Sequence, residues 1–477
     1  MYDPDRTHGA QTSLWYEQLS PEDESTLSSD AGAWPEGVLD LAIVGAGMAG
    51  LSVAYHAALQ GMSVAVVDKG LIGSGETGRS TAHVANALDD RFYLLEKHHG
   101  KSGAQLAAAS HGAALDDIER IVQLEHIDCG FTRLPGYLFA GRPKAADARE
   151  LRRELAAARR AGLRVASTPS FLPALGGRDW LRFADQAELQ PIAYVAGLAR
   201  ALARLGGRIF TRTRVLEVES ARSEQRLHVA GGRTLRARAV VVATNSPIND
   251  LFAMHTKQAA YRTYVLAFAI PPGSLPRALY WDTGDPYHYV RLSPDGTLLI
   301  AGGEDHKVGQ SNEPERSWQR LESWTRSHFP MVGEVRSRWS GQVQEPADGL
   351  GYIGKNPGSP GNVFIVSGDS GNGITHGAIA GLMLPELIAG REHPWAQLYA
   401  PSRKLRALRT SDFLRENANV GLYFVERLLP WRRGEAGLSP GEGRVVHRAG
   451  RHVALYVAMD GTRHECSATC THLGCLV

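Results

Sequence analysis

The stretch Leu41-Ala-Ile-Val-Gly45-Ala-Gly47-Met-Ala-Gly50 decides the fold of this chain. Its first four residues form a short apolar strand that runs directly into a glycine-rich turn, and a helix is predicted from Leu51 to Gln60. Gly45 allows the tight turn, Gly47 lets the backbone approach a pyrophosphate, and Gly50 lets the helix pack on the strand. The pattern therefore predicts a dinucleotide-binding unit. Its predicted cofactor contacts are Gly45, Ala46, Gly47, Met48, Ala49 and Gly50.

The second strand and the residue after it support the same prediction. Met62 to Val67 reads as a strand, and Asp68 closes it. A carboxylate at this position can accept hydrogen bonds from a ribose diol. A tight turn without a ligand would need the glycines but not this acidic residue. We therefore include Asp68 and its neighbour Lys69 among the predicted cofactor contacts.

Residues 73–83 read Gly-Ser-Gly-Glu-Thr-Gly-Arg-Ser-Thr-Ala-His. Small and hydroxyl residues suit the space under a pyrophosphate and beside a bulky planar ring, whereas a nicotinamide-binding domain normally continues straight into another βα unit. A plain flexible loop is the alternative. In this segment the sequence resembles the FAD enzymes of the D-amino-acid oxidase and glycine oxidase family. The contacts that the resemblance implies are Ser74, Thr77, Gly78, Arg79, Ser80, Thr81, Ala82 and His83.

Three later segments resemble the same family. Residues 239–245 read as a buried strand ending in a polar turn, like the second FAD contact of such proteins. A helix from Tyr194 to Leu205, a strand from Arg208 to Thr211 and then Val215 stand where the family places contacts to adenine. Residues 363–376 read as strand, glycine turn and helix, the element that faces the pyrimidine end of the flavin in the relatives. The implied contacts are Val215, Ala243, Thr244, Gly371, Asn372, Gly373, Ile374 and Thr375.

The resemblance spans residues 36 to 400, and the order of its motifs is more specific than any one of them. More narrowly, the chain resembles bacterial proteins in which such a flavoprotein is fused to a C-terminal Rieske domain; they share the 75–83 segment and the Asp285 to Arg291 segment. The implied fold class is α/β. It combines a Rossmann-like FAD-binding domain with an interleaved antiparallel-sheet substrate domain, as in the D-amino-acid oxidase and glutathione-reductase-like folds, and adds the start of an all-β Rieske domain.

These segments predict four parts of the chain. The FAD-binding domain is discontinuous and takes residues 36–130, 190–250 and 350–400. The substrate domain takes residues 131–189 and 251–349, a connector follows at 401–437, and residues 438–477 form an incomplete Rieske domain.

Tyr264 to Val343 contains short predicted strands at 264–270, 288–292 and 297–301, joined by Pro/Gly turns. Because side chains alternate along a strand, Tyr287, Tyr289 and Arg291 share one face. If that face looks at the flavin, Arg291 can hold a substrate carboxylate with its bidentate fork while the tyrosines supply apolar walls and hydroxyl donors. An exposed strand with an ion pair is the alternative.

We also expect the segment Gly302-Gly-Glu-Asp305-His306, at the end of the next strand, to line the same cleft. The candidate catalytic residues are therefore Arg291, Tyr287, Tyr289 and His306. Histidines are attractive as acid/base groups, but a chain with 18 of them brings some near the site by coincidence, and a structural role explains them as well. This applies to His83, His288, His306 and His376.

The stretch Cys470-Thr-His472-Leu-Gly-Cys475 resembles one half of a Rieske ligand motif. The resemblance implies that Cys470 and His472 bind a [2Fe-2S] cluster and that Cys475 pairs with a second cysteine in another loop. A Rieske cluster needs a cysteine and a histidine from each of two loops, and this sequence contains one of these two loops. We therefore expect little or no stable cluster in this chain. Incidental cysteines are the alternative.

Composition indicates a large enzyme without a nucleic-acid partner. Lys and Arg number 52 against 50 for Asp and Glu, and the arginines of residues 149–160 alternate with Ala, Leu and Glu as on a solvated helix face. The most apolar stretch, Val38 to Leu59, contains charged residues and glycines, so no membrane span is predicted. Met1 to Asp30 is acidic and Ser-rich, unlike a secretory signal, which makes the cytoplasm the expected location.

Together these features predict an FAD-dependent oxidoreductase that oxidises the C–N bond of an amino acid or secondary amine to an imine. Sarcosine-oxidase-like members of the family carry a lysine over the flavin, and the comparable strand here reads Leu298-Leu-Ile300. This favours a dehydrogenase that passes electrons to the Rieske centre over an oxidase; the final acceptor is unknown. Two alternatives stay open: a flavin-dependent hydroxylase, prompted by Gly368-Asp369, and a non-catalytic electron-transfer flavoprotein.

Overall fold

The computed structural model describes residues 11–28, 32–141, 145–172, 179–246, 248, 254, 257–308, 314–404, 437–448 and 451–468. The chain divides into two compact units. The first takes residues 1–249 and 258–405, and the second takes residues 250–257 and 406–477.

The strands of the first unit, numbered in chain order, are β1 Val38–Val44, β2 Val64–Val67, β3 His83–Val84, β4 Thr132–Phe139, β5 Val165–Pro169, β6 Asp179–Glu188, β7 Arg208–Phe210, β8 Val215–Ser220, β9 Gln225–Val229, β10 Thr234–Asn245, β11 Gln258–Ala269, β12 Leu279–Asp282, β13 His288–Leu292, β14 Leu298–Lys307, β15 Val335–Pro346, β16 Tyr352–Lys355 and β17 Val363–Ser367. Its α-helices are α1 Pro21–Leu27, α2 Met48–Leu59, α3 Phe92–Leu124, α4 Ala145–Arg160, α5 Pro191–Arg204, α6 Pro314–His328, α7 Gly373–Ile388 and α8 Ala396–Tyr399. Short 3₁₀ helices cover Leu14–Tyr16 and Glu76–Arg79.

The first sheet is the predicted Rossmann-like element. Its order is β16-β17-β10-β1-β2-β7, and β8 and β9 join it through β10. Neighbours from β17 to β7 run parallel, with β1 between β10 and β2. The central strands contain buried apolar runs, residues 41–44 in β1, 64–67 in β2, 240–242 in β10 and 363–366 in β17, because helices such as α2 and α7 cover the sheet. The predicted helix at 51–60 is therefore present, although it begins three residues earlier, at Met48.

The second sheet is the predicted antiparallel one. Its order is β15-β11-β14-β13-β12-β4-β6-β3, with β5 on β6, and within it only the β12–β4 pair is parallel. The predicted strand at 288–292 has the same bounds in the structure. One face packs under α6, where Leu266, Phe268, Val290 and Leu321 form a cluster. The opposite face turns toward the core of the first sheet, against which Tyr289 packs.

The N-terminal residues belong to this first unit as well. Leu14 and Trp15 are buried in the main hydrophobic core, and α1 packs against α5. Sequence reasoning began the FAD-binding domain at residue 36, because the acidic, Ser-rich start offers no periodic apolar pattern. The structure thus adds a buried segment that the sequence did not indicate.

The second unit contains a three-stranded antiparallel sheet of β18 Gly443–Arg448, β19 Arg451–Val457 and β20 Arg463–Ser467. The strands predicted at 444–447 and 452–458 correspond to β18 and β19, so the C-terminal part is all-β as expected. Cys470, His472 and Cys475 lie outside the described residues, as do most of the connector and its predicted helix at 412–428. None of the helices within the described ranges is long and apolar enough to cross a membrane.

Candidate active site

The glycine turn between β1 and α2 is packed so tightly that two of its positions admit no side chain. Gly45 has φ +109°, and a Cβ on it would lie 2.4 Å from the carbonyl oxygen of Ala243. A Cβ on Gly50 would lie 1.8 Å from the carbonyl oxygen of Gly45. The end of β10, with the predicted contacts Ala243 and Thr244, therefore lies directly beside the turn.

The loop of residues 73–82 closes over the same turn. Thr77 Oγ1 accepts a hydrogen bond from the backbone N–H of Met48 at 3.0 Å, at the first residue of α2. The carboxylate of Asp68 accepts from the N–H of Ala46 at 2.6 Å and from that of Gly70 at 2.8 Å. Asp68 thus fixes the turn, while its contact with a ribose remains a prediction. The backbone of Thr213, two residues before Val215, donates to the Asp68 carbonyl at 2.7 Å and places β8 at this edge.

Helix α7 completes the cradle. A Cβ on Gly377 would lie 2.7 Å from Met48 Cγ and 3.0 Å from the backbone nitrogen of Ala49, so α7 crosses α2 at its N-terminal end. Four segments predicted separately from the sequence therefore converge on one place: residues 45–50, 73–83, 243–244 and 371–375. Close-packed glycines and a helix N-terminus suit the phosphates of a dinucleotide, so the residues present fit FAD.

Tyr287 and Tyr289 bring the antiparallel sheet to this cradle. The hydroxyl of Tyr287 donates to Asp89 Oδ2 at 3.4 Å, and a Cβ on Gly371 would lie 3.6 Å from the same hydroxyl. The Tyr289 ring meets the His83 ring edge-on at 5.5 Å. The two tyrosine rings lie 5.3 Å apart and form an aromatic wall. The place where this wall meets the 83–89 and 371–375 segments is the candidate active site, which we call the cleft.

Carboxyl groups line the cleft beside the tyrosines. Desolvation raises the pKa of Asp89 to about 6, against the opposing effects of Arg91 and of the Tyr287 hydroxyl. Desolvation also raises the pKa of Asp305 to about 7, although a hydrogen bond from Thr263 opposes it. The Thr263 hydroxyl lies 2.8 Å from the Tyr289 hydroxyl, which links Asp305 to the aromatic wall. A positively charged ligand near these groups would favour their ionised forms.

Arg291 shares the face of Tyr287 and Tyr289 but does not present its guanidinium to the cleft. The residue is 0% exposed, and its Nε lies 3.2 Å from Glu188 Oε2. Its Nη1 donates to the carbonyl oxygens of Thr81 at 3.1 Å, Ala82 at 2.7 Å and Leu189 at 3.1 Å. The predicted carboxylate clamp is therefore not supported, because the guanidinium is fully buried, with Nε beside Glu188 and Nη1 bonded to backbone carbonyls.

His306 lies on the other face of the sheet. Its ring stacks on Tyr264 at 5.6 Å, and Tyr264 meets Trp318 of α6 at 5.1 Å. Burial lowers the pKa of His306, and the charges of Arg262 and Arg320 lower it further. The prediction that His306 lines the cleft is corrected, because the β-bulge between Arg262 and Tyr264 where β11 pairs with β14 changes the local register.

Two other histidines of the predicted set, His288 and His376, have structural partners. His288 lies 3.1 Å from Asp282 and 3.3 Å from Glu304 and stacks on Trp324 at 4.1 Å. Burial opposes its charged form, but these two carboxylates raise its pKa. Burial lowers the pKa of His376 to about 4; the backbone oxygen of Asp369 lies 2.9 Å from its Nδ1. Among the described residues, no three His, Cys, Asp or Glu side chains come together as a metal site.

Sequence reasoning missed Asp89 and Thr263, and it included Asp305 only as part of the 302–306 segment expected to line the cleft. The sequence offered an indication of Asp89, because Asp89-Asp90 follows the mostly apolar stretch Val84 to Leu88, directly after the predicted cofactor segment. It offered none of Thr263, because a threonine in a β-strand is common. Asp305 stands beside His306, and the sequence alone did not show which of the two side chains faces the cleft.

The chain is similar to known proteins over most of its length. The family model described as "DAO: FAD dependent oxidoreductase" matches residues 40–387. A Bacillus subtilis strain 168 protein with the provisional name Rieske 2Fe-2S iron-sulfur protein YhfW is 25% identical over 467 residues, 96% of this chain and 91% of that protein. The gamma-glutamylputrescine oxidoreductase of Escherichia coli K12 is 24% identical, covering 74% of this chain and 84% of its own. The glycine oxidase of Bacillus licheniformis is 26% identical, covering 76% and 97%.

Solved structures show the same fold. Glycine oxidase from Geobacillus kaustophilus superposes with a TM-score of 0.65 at 20% identity, covering 77% of this chain and 99% of that chain. L-proline dehydrogenase from P. horikoshii also gives a TM-score of 0.65, at 16% identity, covering 78% of this chain and 98% of that chain. At these identities the likeness establishes the fold of the first unit.

Proposed function

The chain belongs to the DAO family of FAD-dependent oxidoreductases, and on that premise we propose that it oxidises the C–N bond of an amine to an imine at the cleft beside Tyr287 and Tyr289. The observation that carries this proposal is the meeting of that aromatic wall with the 83–89 and 371–375 segments. Relatives named glycine oxidase and gamma-glutamylputrescine oxidoreductase support a substrate with a C–N bond.

FAD, when bound, supplies the two-electron acceptor for this chemistry. The residues of the chain bind and orient the amine against it. Tyr287 and Tyr289 give an apolar wall that excludes water, and their hydroxyls are held by Asp89 and Thr263. Asp89, whose pKa desolvation raises to about 6, is largely ionised near neutral pH and is suited to bind a cationic group of the substrate.

We propose further that the substrate carries positive charge beyond its reacting amine. Arg291, the candidate partner for a substrate carboxylate, is enclosed by Glu188 and backbone acceptors. The described groups that face the cleft near the tyrosines include the carboxyls of Asp89 and Asp305. Charge complementarity thus favours a diamine or another cationic amine over a simple amino acid.

For the fate of the electrons we propose transfer to an iron-sulfur centre, in a form of the protein that holds both ligand loops, with the enzyme acting as a dehydrogenase. Two observations support this: the Cys470-Thr-His472 motif, and the Rieske name of a relative that covers almost the whole chain. Cys470 and His472 would supply one cysteine and one histidine to a [2Fe-2S] cluster, and a partner loop would supply the others.

Product analysis tests the reaction class. The purified protein is incubated with a dye acceptor and single members of three groups: diamines, amino acids and N-methylated amines. Imine hydrolysis releases an aldehyde or a keto acid together with ammonia or a smaller amine, and both products are quantified. Equal amounts of carbonyl and nitrogen product from a diamine support the proposal. In a parallel incubation with NADPH, dioxygen and an aromatic substrate in place of the dye and the amine, hydroxylated product would replace the proposal with the hydroxylase alternative.

A further inference from the structure

The 73–82 loop is held by hydrogen bonds to its carbonyl oxygens from a segment far away in the sequence. Ser13 Oγ donates to the carbonyl of Gly78, and Tyr16 Oη donates to that of Gly73 at 3.1 Å. Trp15 Nε1 donates to the carbonyl of Ser80 at 2.7 Å. We call residues Ser13–Tyr16 the N-terminal clasp.

The antiparallel sheet supplies the remaining donors to the same loop. Trp339 Nε1, on β15, donates to the carbonyl of Arg79 at 2.8 Å. Nη1 of Arg291, on β13, donates to the carbonyls of Thr81 and Ala82. The five consecutive carbonyls of residues 78–82 therefore all accept from side chains outside the loop, and the clasp provides the donors for two of them.

The clasp is itself fixed in the core. Trp15 is 0% exposed, and its carbonyl oxygen accepts from Gln190 Nε2 at 2.7 Å. Its ring meets that of Trp339 edge-on at 6.5 Å, and the Arg291 guanidinium lies 5.3 Å from its centroid. The three loop-binding side chains Trp15, Trp339 and Arg291 thus form one contiguous group behind the loop.

This arrangement matters because regular secondary structure does little to define the loop. Apart from the 3₁₀ turn at Glu76–Arg79, it is irregular, and Ala82 adopts the left-handed region with φ +56°. A buried carbonyl that loses its donor is costly, so the outside donors stabilise the loop in addition to its internal bonds, such as that from the Gly78 N–H to the Gly73 carbonyl. The family match begins at residue 40 and does not include the clasp.

We propose that the N-terminal clasp positions the 73–82 loop for FAD, with Trp15 as its principal positioning residue. The proposal rests on FAD binding by the family and is independent of which substrate the enzyme oxidises. It predicts that a change in the clasp, about 60 residues away in sequence from the loop, alters cofactor affinity and the environment of the flavin. The clasp residues contact the carbonyl oxygens of the loop and are positioning residues, not catalytic ones.

The test uses single-bond deletions in the full chain. Trp15→Phe keeps an aromatic ring but removes the donor to the Ser80 carbonyl. Tyr16→Phe does the same for the Gly73 carbonyl, and Ser13→Ala removes the donor to the Gly78 carbonyl. Matched controls lose the same kind of bond elsewhere. Trp34→Phe loses an indole N–H bond to the Thr234 carbonyl at 3.1 Å, and Tyr280→Phe loses a hydroxyl bond to the Pro276 carbonyl at 2.7 Å.

The readouts are the FAD dissociation constant by flavin fluorescence and the visible circular dichroism of the bound flavin. We expect Trp15→Phe to raise the dissociation constant about tenfold or more, the effect of one buried carbonyl without its donor, and to change the dichroism. Tyr16→Phe and Ser13→Ala should act in the same direction by smaller factors, and the controls should leave both readouts as in the parent.

The proposal is overturned if Trp15→Phe binds FAD with parent affinity and dichroism, or if Trp34→Phe weakens FAD binding equally at an equal loss of thermal stability. Should Trp15→Phe not fold, Ser13→Ala and Tyr16→Phe decide the matter by the same comparison with Tyr280→Phe. No substrate enters these measurements, so failure of the amine-oxidation proposal would leave them intact.

Discussion

Nη1 of Arg291 donates to the carbonyl oxygen of Ala82 at 2.7 Å. This bond joins β13 to the end of the loop that runs from β2 of the first sheet to β3 of the second, at a residue whose backbone is in the left-handed region. Because its Nε also lies beside Glu188, Arg291 acts as a fixed link between β13 and this loop. Its role follows from that geometry, and a series of substitutions can separate it from substrate binding.

Arg291→Lys is expected to destabilise the protein by about 2–4 kcal/mol, since an ammonium cannot replace a guanidinium that reaches Glu188 and three backbone carbonyls at once. FAD content should fall, while the KM for amine in the remaining holoenzyme should stay within about twofold, because the side chain does not touch the cleft. Urea unfolding and steady-state kinetics measure the two effects.

Arg277→Lys is the matched control, since Arg277 pairs with the same Glu188 but is 36% exposed. Arg277→Lys should lower the free energy of unfolding by no more than about 1 kcal/mol. A large rise in KM for Arg291→Lys with unchanged FAD content would restore the carboxylate-clamp hypothesis.

Tyr287→Phe is expected to shift the pH profile of kcat/KM. The Tyr287 hydroxyl lowers the pKa of Asp89, which desolvation has raised to about 6, so removing the hydroxyl raises that pKa further. If the ionised carboxylate binds the cationic amine, the acidic limb of the profile moves to higher pH, by about half a unit to one unit. Tyr280→Phe should leave the limb in place. A limb that moves to lower pH would remove Asp89 from substrate binding.

Asp305→Asn is expected to change the pH dependence of stability. The folded-state pKa of Asp305 is raised to about 7 by desolvation, so the folded protein binds the proton more tightly than the unfolded chain. Its contribution is fully present below the unfolded value near 4 and is lost as pH rises through about 7. As pH rises from about 5 to about 8, the free energy of unfolding of the variant should therefore increase relative to that of the parent. The expected increase is on the order of 2 kcal/mol after discounting for solvent access.

Unfolding by urea at several pH values measures this difference. Asp40→Asn is the control of opposite sign, because hydrogen bonds from Ser63 lower the pKa of Asp40. Its contribution is present above the unfolded pKa, so the control should lose a constant amount of stability from pH 5 to 8. Parallel curves for Asp305→Asn and the parent would show that Asp305 is not perturbed in solution.

Asp89→Asn is expected to change which amines are oxidised. Removing the charge should lower kcat/KM for a diamine about tenfold or more and change that for an uncharged-tail amine of equal length by less than about threefold. Comparing the two substrates within one variant cancels any general loss of activity. Equal losses for both amines would contradict the charge-complementarity argument.

Much of the fold was predictable because its signals are local. The glycine turn at 45–50 fixes a strand and a helix, and the alternation at 287–291 correctly placed three side chains on one face. The four cofactor segments were found separately, and the structure brings them together at α2. A shared face, however, does not tell whether a side chain reaches a cavity or is closed off by partners.

Arg291 and His306 illustrate that limit. The partner of Arg291 is Glu188, about 100 residues earlier in the chain, and no local pattern reveals the pair. His306 follows a β-bulge, which breaks the alternation on which its assignment relied. The clasp was missed for a related reason, since Leu14 and Trp15 stand as isolated apolar residues in a polar stretch and are buried only by elements distant in sequence.

The most direct test of the central claim is anaerobic reduction of the bound flavin, followed by its absorbance after rapid mixing with single amines. We expect a cationic amine such as a diamine to bleach the flavin, at a rate that saturates with amine concentration. In Asp89→Asn this bleaching should be at least tenfold slower. Bleaching by neutral amino acids alone would contradict the proposed substrate class. Absence of bleaching by any amine, in protein that retains FAD, would contradict amine oxidation itself.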